Sequence, residues 1–241
     1  MATALSTSML PTLASAQERM LDNTQRKQPL KVWGARFKEL EYRYSDNDEE
    51  LGVWDADFFY GTDALKFRLL TSGEYSIDGQ AYEKLENQLV GQVPISTFFD
   101  VQAGIRVDTP EGPDRTYAVL GITGLAPQWF EVDASVYVSK GGKASAELDA
   151  SYELLLTNYW ILIASLDTTV AFNEDKEIGV GKGLVSSEVG LRLSYDLIDR
   201  TLSPYIGVVH ERKYGDTAAL SRTAGSSTED WFAVVGARLI F

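Results

Sequence analysis

The sequence predicts an all-β protein, a closed antiparallel up-and-down transmembrane β-barrel of about 12 strands, and three observations carry the prediction. From Leu30 onward the chain falls into segments of about ten to fourteen residues that alternate apolar and polar side chains, separated by Gly, Pro, Asn and Asp clusters. The connectors between them alternate between tight and longer, as the two sets of turns of a membrane barrel do. The last segment, residues 231–241, closes the chain on Phe241 with an apolar side chain at every second position.

Composition narrows the alternatives. Apolar residues are 44% and charged residues 24% of the chain, a balance unlike that of a helical membrane protein. No stretch from Pro29 onward approaches the roughly 18 apolar residues of a spanning helix. Insertion then has to be by strands, whose two faces average to an ordinary mean hydropathy, here -0.14. The formal charge of -13 opposes nucleic-acid binding, which needs a basic face. It suits the attraction of cations, or simply a hydrated surface. The absence of Cys removes disulfides and thiolate metal sites, and a closed barrel needs no such staples because closure satisfies every strand edge.

Taken in order, residues 1–17 carry no charge and end in a small-residue pattern, Ala14-x-Ala16, of the kind a signal peptidase cuts. They are read as a signal peptide, imperfect for want of a basic start and because Pro11 interrupts its apolar stretch. Residues 18–28 are polar and unpatterned, a short periplasmic tether, and the barrel occupies 29–241. Strand 30–44 ends at the acidic turn 45–50, strand 51–60 at Gly61-Thr62-Asp63, and strands 64–76 and 82–92 lead to the Pro94 turn. Strands 97–108 and 115–124 flank 109–114 and precede the turn at Pro127. Strands 129–139, 144–156, 159–173 and 185–198 follow, the middle pair joined at Thr157-Asn158 and the last two separated by the long connector 174–184. Strands 202–214 and 229–241 are joined by the longest connector, 215–228. With the N-terminus periplasmic, twelve strands return the C-terminus to the periplasm.

The two faces differ in character. Phe130, Val132, Ala134, Val136 and Val138 oppose Glu131, Asp133, Ser135 and Tyr137; Leu148, Ala150 and Leu154 oppose Glu147, Asp149 and Glu153; Val189, Leu191 and Leu193 oppose Glu188 and Arg192. In the last strand Trp231, Ala233, Val235, Leu239 and Phe241 oppose Arg238. Periodicity alone does not distinguish inside from outside, but charges of both signs at mid-strand suit a polar lumen. The carboxylates Glu131, Asp133, Glu147, Asp149, Glu153 and Glu188 either line a cation path or pair with Arg106, Arg192 and Arg238 in a network that fills the interior. Trp33, Trp54, Trp129, Trp160, Tyr205 and Trp231 lie near strand ends, as an aromatic girdle requires.

Several phrases, in order, resemble the CopB family, the copper resistance protein B barrels of the bacterial outer membrane. They are Phe99-Asp100-Val-Gln-Ala-Gly-Ile-Arg106, Gly124-Leu-Ala-Pro-Gln-Trp-Phe-Glu131, Leu148-Asp-Ala-Ser-Tyr-Glu-Leu-Leu-Leu156, Gly181-Lys-Gly-Leu-Val-Ser-Ser-Glu-Val-Gly-Leu-Arg192 and Pro204-Tyr-Ile-Gly-Val-Val-His-Glu-Arg-Lys-Tyr-Gly-Asp216. The resemblance implies a non-enzymatic outer-membrane barrel that handles copper ions, with periplasmic copper-handling proteins as partners. Membrane lipid is the expected surroundings, Phe241 the expected mark for the barrel-assembly machinery, and a monomer the expected state.

Family members carry a Met- and His-rich segment ahead of the barrel, and this sequence does not. Its three Met, at positions 1, 9 and 20, precede the strands, and His210 is the only His. Cu(I) prefers thioether or thiolate ligands and Cu(II) imidazole, so His210 is the first metal-ligand candidate. It is equally suited to anchoring the rim, since it shares a face with Ile206 and Val208. The acidic run 46–50 is a candidate for divalent cations such as Ca²⁺ or a solvated tip. A Ser–His hydrolase would have to use His210, and the neighbouring strands offer no evident serine. A structural or general small-solute and cation barrel without specific copper binding is the alternative.

Overall fold

The structure is a computed structural model that describes residues 30–109 and 114–241. The expected signal peptide and tether lie outside the described residues, as does most of the connector 109–114. Twelve strands form the wall: β1 (Lys31–Ser45), β2 (Glu50–Thr62), β3 (Lys66–Ser76), β4 (Ala81–Pro94), β5 (Phe99–Thr109), β6 (Arg115–Ala126), β7 (Phe130–Ser139), β8 (Ala144–Leu155), β9 (Trp160–Ala171), β10 (Gly183–Tyr195), β11 (Leu202–Lys213) and β12 (Glu229–Ile240). Each pairs with its sequence neighbours, and β12 pairs with β1 to close the barrel. The final residue takes part in closure: Phe241 N donates to Ala35 O at 2.9 Å, and Ala35 N donates to Phe241 O at 3.1 Å. Closure leaves no strand edge unpaired, the condition for a sheet that stands in hydrocarbon.

Alternation places apolar side chains outside. Leu120 is 61% exposed and Ile206 62%, while Arg192 on the other face is 3% exposed. A water-soluble barrel has the reverse arrangement, and a continuous apolar exterior is the surface of a membrane barrel. No helix among the described residues is long and apolar enough to cross a membrane, so strands would do the crossing.

The rim where the chain enters at Lys31 and ends at Phe241 is here the lower rim. Its turns are short, but so are three of the upper ones, at 46–49, 77–80 and 140–143. The expected contrast in connector length is therefore carried by 172–182 and 214–228. The lower turn 196–201 is longer than expected, because β10 stops at Tyr195. The upper connector 214–228, expected as the longest, contains a helix, α1 (Gly215–Ala224). Good helix formers, Ala218, Ala219 and Leu220, favour it, and Gly225 ends it with a φ of 82° while donating to Arg222 O and Ser221 O. Thr217 and Ala218 are its buried residues, and Gly181 N donates to Thr217 Oγ1 at 2.9 Å, tying α1 to the neighbouring loop.

Two departures from strict alternation bear on the interior. A bulge in β1, where the register to β2 shifts between Phe37 and Glu39, turns the successive side chains Lys38 and Glu39 both toward the lumen. Tyr205, expected in the aromatic girdle, faces inward instead, is 3% exposed and donates to Glu41 Oε1 at 3.0 Å. It lies over Gly236 of the adjacent strand, where a Cβ would stand 2.7 Å from the tyrosine oxygen. The tryptophans Trp33, Trp129, Trp160 and Trp231 are exposed on the outside, while Trp54 packs edge-on against Tyr82 at a centroid distance of 6.0 Å.

Candidate functional site

The inward faces enclose a cavity of 910 Å³ with side chains of both charges on its wall. Most of these charges neutralise one another in local groups. In the first, Arg43 donates from Nε to Glu41 at 2.9 Å and from Nη1 to Glu188 at 2.9 Å, and Arg192 meets Glu39 at 2.9 Å and also bonds Glu41. Arg192 donates to Ser165 Oγ at 2.9 Å as well. In the second, Arg106 bridges strands by donating to Glu147 at 2.8 Å, Asp108 at 2.7 Å and Glu86, while its guanidinium carbon lies 4.4 Å from the centre of the Tyr137 ring. A third group clamps the fully buried Asp57 between Arg36 at 2.7 Å and Arg68 at 3.0 Å. Arg238 reaches Glu153 across the lower lumen. Groups as buried as Glu41 and Arg192 are kept charged by partners, since an unpaired charge there would be strongly destabilising.

The wall of β7, β8 and β9 is different. Among the described residues, Glu131, Asp133, Asp149 and Asp167 have no Lys or Arg within 4.0 Å, although their strands turn them into the cavity. Asp133 stands directly opposite Asp149, and Asp149 directly opposite Asp167. Directly opposed side chains start about 5 Å apart, where two full charges repel by about 3 kcal/mol at an effective dielectric of about 20. Asp133 has close support from Gln102 Nε2 at 2.9 Å and Ser135 Oγ at 3.0 Å, and the carboxyls of Asp149 and Asp167 lie within hydrogen-bond reach of each other. Such a wall is electrostatically poised for mobile cations.

All six carboxylates expected in the lumen face it, and the structure divides them. Glu147, Glu153 and Glu188 are paired with Arg106, Arg238 and Arg43, whereas Glu131, Asp133 and Asp149 are not paired with a base. His210 stands apart, on the outer face near the upper rim, with Nε2 3.1 Å from Glu229 Oε1 and its ring 4.4 Å from that of Trp231. The acidic turn does not form a cage, since Asp48 accepts from Tyr44 and Asp46 accepts from the Trp231 amide at 3.2 Å. Among the described residues no group of three or more His, Asp or Glu converges tightly enough to hold a metal ion.

Sequence reading missed the charges of β1 to β4 and also Asp100 and Asp167. The signal at Glu39, Glu41 and Arg43 was present, in alternation with Leu40, Tyr42 and Tyr44, but the bulge hides its phase from Arg36. Asp167 was visible as the single charge in the otherwise uncharged strand Trp160–Ala171.

Above the wall, the loop 172–182 leans back across the rim. Asp175 receives Lys143 Nζ at 2.6 Å and Arg115 Nη2 at 3.2 Å. Burial pushes its carboxyl up, but the hydrogen bonds from Lys143 and Arg115 outweigh this and hold it below its ordinary range.

Residues 31–241 match the family described as Copper resistance protein B precursor (CopB). Copper resistance protein B of Escherichia coli is 36% identical over 203 residues, covering 84% of this chain and 67% of that protein. The Copper resistance protein B homolog of Pseudomonas syringae pv. tomato is 35% identical over 195 residues, 81% of this chain and 65% of that one. The chain thus spans about two thirds of the length of these relatives. Among solved structures the NanC porin superposes with a TM-score of 0.52 at 9% identity, covering 86% of this chain and 99% of the porin, a likeness of fold alone.

Proposed function

The chain belongs to the copper resistance protein B family, and from that premise we propose that it sits in the bacterial outer membrane and serves copper tolerance by passing copper ions through its lumen. The observation that carries the reading is the base-free carboxylate wall of β7–β9, which faces the cavity with Glu131, Asp133, Asp149 and Asp167. Carboxylate oxygens take Cu(II) rather than Cu(I), and they hold it weakly. Conduction asks for binding favourable enough to enter and weak enough to leave. The lumen therefore suits transit better than storage, and neither Met nor Cys occurs in residues 30–241 to serve Cu(I).

The apolar exterior supports the membrane location. Placing the lower rim in the periplasm presents Phe241 to the barrel-assembly machinery and opens the lumen toward periplasmic copper-handling proteins. The test is Cu(II) uptake into proteoliposomes containing the purified barrel and a trapped chelating dye, beside zinc and chloride. Uptake of Cu(II) above that of protein-free vesicles is expected, with cations preferred over anions; equal chloride and cation permeability would overturn the reading. A general cation channel without preference for copper is the second reading, favoured by the lone His210 lying outside the lumen. Equal rates for Cu(II) and Zn(II) that persist when a periplasmic copper acceptor is present at the lower mouth would select it.

A further inference from the structure

Strand register reveals an arrangement that neither local pairing nor sequence order displays. Starting near the lower rim, Asp100 of β5 stands opposite Thr123 of β6, and Thr123 opposite Asp133 of β7. The same transverse row continues through Asp149, Asp167 and Glu188. It then passes to Glu211 of β11 and Asp230 of β12. Seven of the eight strands from β5 to β12 thus place a carboxylate in one unbroken register row, and Thr123 supplies a hydroxyl in the eighth.

The row climbs. Asp100 is the second residue above the lower end of its strand, and Asp230 is the second residue below the upper end of its own. Strands about 4.8 Å apart and tilted by about 40° raise such a row by about 3 Å per strand, or about 20 Å from β5 to β12, against an apolar band of about 25 Å. A row of cross-strand neighbours in a tilted barrel is a spiral, and this one runs from mouth to mouth. Side chains directly opposite are about 5 Å apart at Cβ, and like charges so placed destabilise a sheet. Only Glu188, with Arg43 at 2.9 Å, and Asp100, with Lys66 at 4.0 Å, meet a base within 4.0 Å among the described residues.

A second, independent feature marks the row. Gln102 is 1% exposed, and its carboxamide lies on Asp133, donating from Nε2 at 2.9 Å. Its Oε1 is buried with no hydrogen-bond partner among the described residues. A buried acceptor without a donor carries its full desolvation cost, which a cation held on the neighbouring Asp133 carboxylate would offset.

We infer that this spiral is the conduction path: hydrated divalent cations move along the wall from carboxylate to carboxylate, rather than down the axis or through one fixed site. The absence of a convergent three-ligand group among the described residues accords with a relay of weak sites. The inference rests on the lumenal copper reading and specifies its route.

The test uses the full barrel in proteoliposomes and planar bilayers, with Cu(II) flux and reversal potential as readouts. It compares the row variant Asp149→Asn with Asp167→Asn, the off-row lumen variant Glu74→Gln on β3, and the parent. Neutralising two adjacent steps removes local cation concentration and is expected to lower Cu(II) flux about tenfold, with Glu74→Gln within about twofold of the parent. Mn(II) added to the micelle-bound barrel is also expected to broaden the amide signals of the row residues ahead of the Glu74 amide, which checks the route without any substitution. Parent-like flux in the double variant, or a larger loss in Glu74→Gln, overturns the spiral and leaves lumenal copper passage standing. A parent barrel without cation preference removes the copper reading itself.

Discussion

Replacing Asp149 with Asn should make the barrel more stable. Asp149 lies between Asp133 and Asp167, opposite both, with no Lys or Arg within 4.0 Å among the described residues. Two repulsions of about 3 kcal/mol each are the low-screening bound at a separation of about 5 Å. Water and counter-ions in a polar lumen lower this bound, and cross-strand pairs are worth about 0.2–1 kcal/mol in magnitude. Summed over two neighbours, Asp149→Asn is therefore expected to stabilise by about 0.4–2 kcal/mol. Urea unfolding of the barrel in lipid vesicles, followed by tryptophan fluorescence, reads the difference. The gain should shrink in 1 M salt, where the screening length falls to about 3 Å, and also when millimolar Cu(II) or Mn(II) neutralises the parent. A variant equal to or less stable than the parent at low salt would refute the view that these carboxylates stand unneutralised.

Three further outcomes follow from the same geometry. Arg192→Met leaves Glu39 with Arg43 at 3.2 Å and Glu41 with Arg43 and Tyr205 as their remaining partners, and is expected to cost about 3 kcal/mol in the same unfolding assay. Asp175→Asn should release the loop 172–182 to limited proteolysis near neutral pH. The folded carboxyl of Asp175 lies below its unfolded value, so the parent loop keeps its full stabilisation above the ordinary carboxylate range of about 4 and loses it only as pH falls through the lower folded value. A cleavage rate that is flat with pH in the variant and rises in strong acid in the parent is the expected pattern. His210→Ala should leave Cu(II) flux unchanged, because the ring lies outside the lumen against Trp231; a flux loss would show that the outer rim takes part.

What was legible in the sequence was what alternation alone controls. Strands β7, β8 and the central part of β10 have no phase slip, so Glu131, Asp133, Glu147, Asp149, Glu153 and Glu188 could be assigned to one face and were found there. β1 failed because a bulge is a single extra residue with no sequence mark of its own, and it reverses the phase between Arg36 and Glu41. Tyr205 looked like a rim aromatic by position, yet parity turns it inward, where Gly236 leaves room for its ring and Glu41 accepts its hydroxyl proton. The helix Gly215–Ala224 was hidden because its composition also suits a loop, and its stability comes in part from tertiary contacts such as Gly181 with Thr217. Register was the least legible property of all. Asp100, Asp149 and Asp230 lie far apart in sequence, and only pairing across successive strands aligns them.

The lumen then has two charge regimes with different consequences. Around Arg43, Arg192, Arg106 and Asp57 the charges are matched by short bonds, and matched groups fix side chains in place and add little net field. Along β7–β9 the charges are unmatched, so their field extends into the cavity and is answered by whatever cation enters. The paired groups thus shape the space that the unpaired ones electrify. If copper is the cargo, as proposed, its oxygen ligands discriminate weakly among divalent ions. Preference for copper must then arise from supply or capture at the mouths, and removing a periplasmic copper acceptor should abolish the preference over zinc while leaving the conductance of the barrel intact.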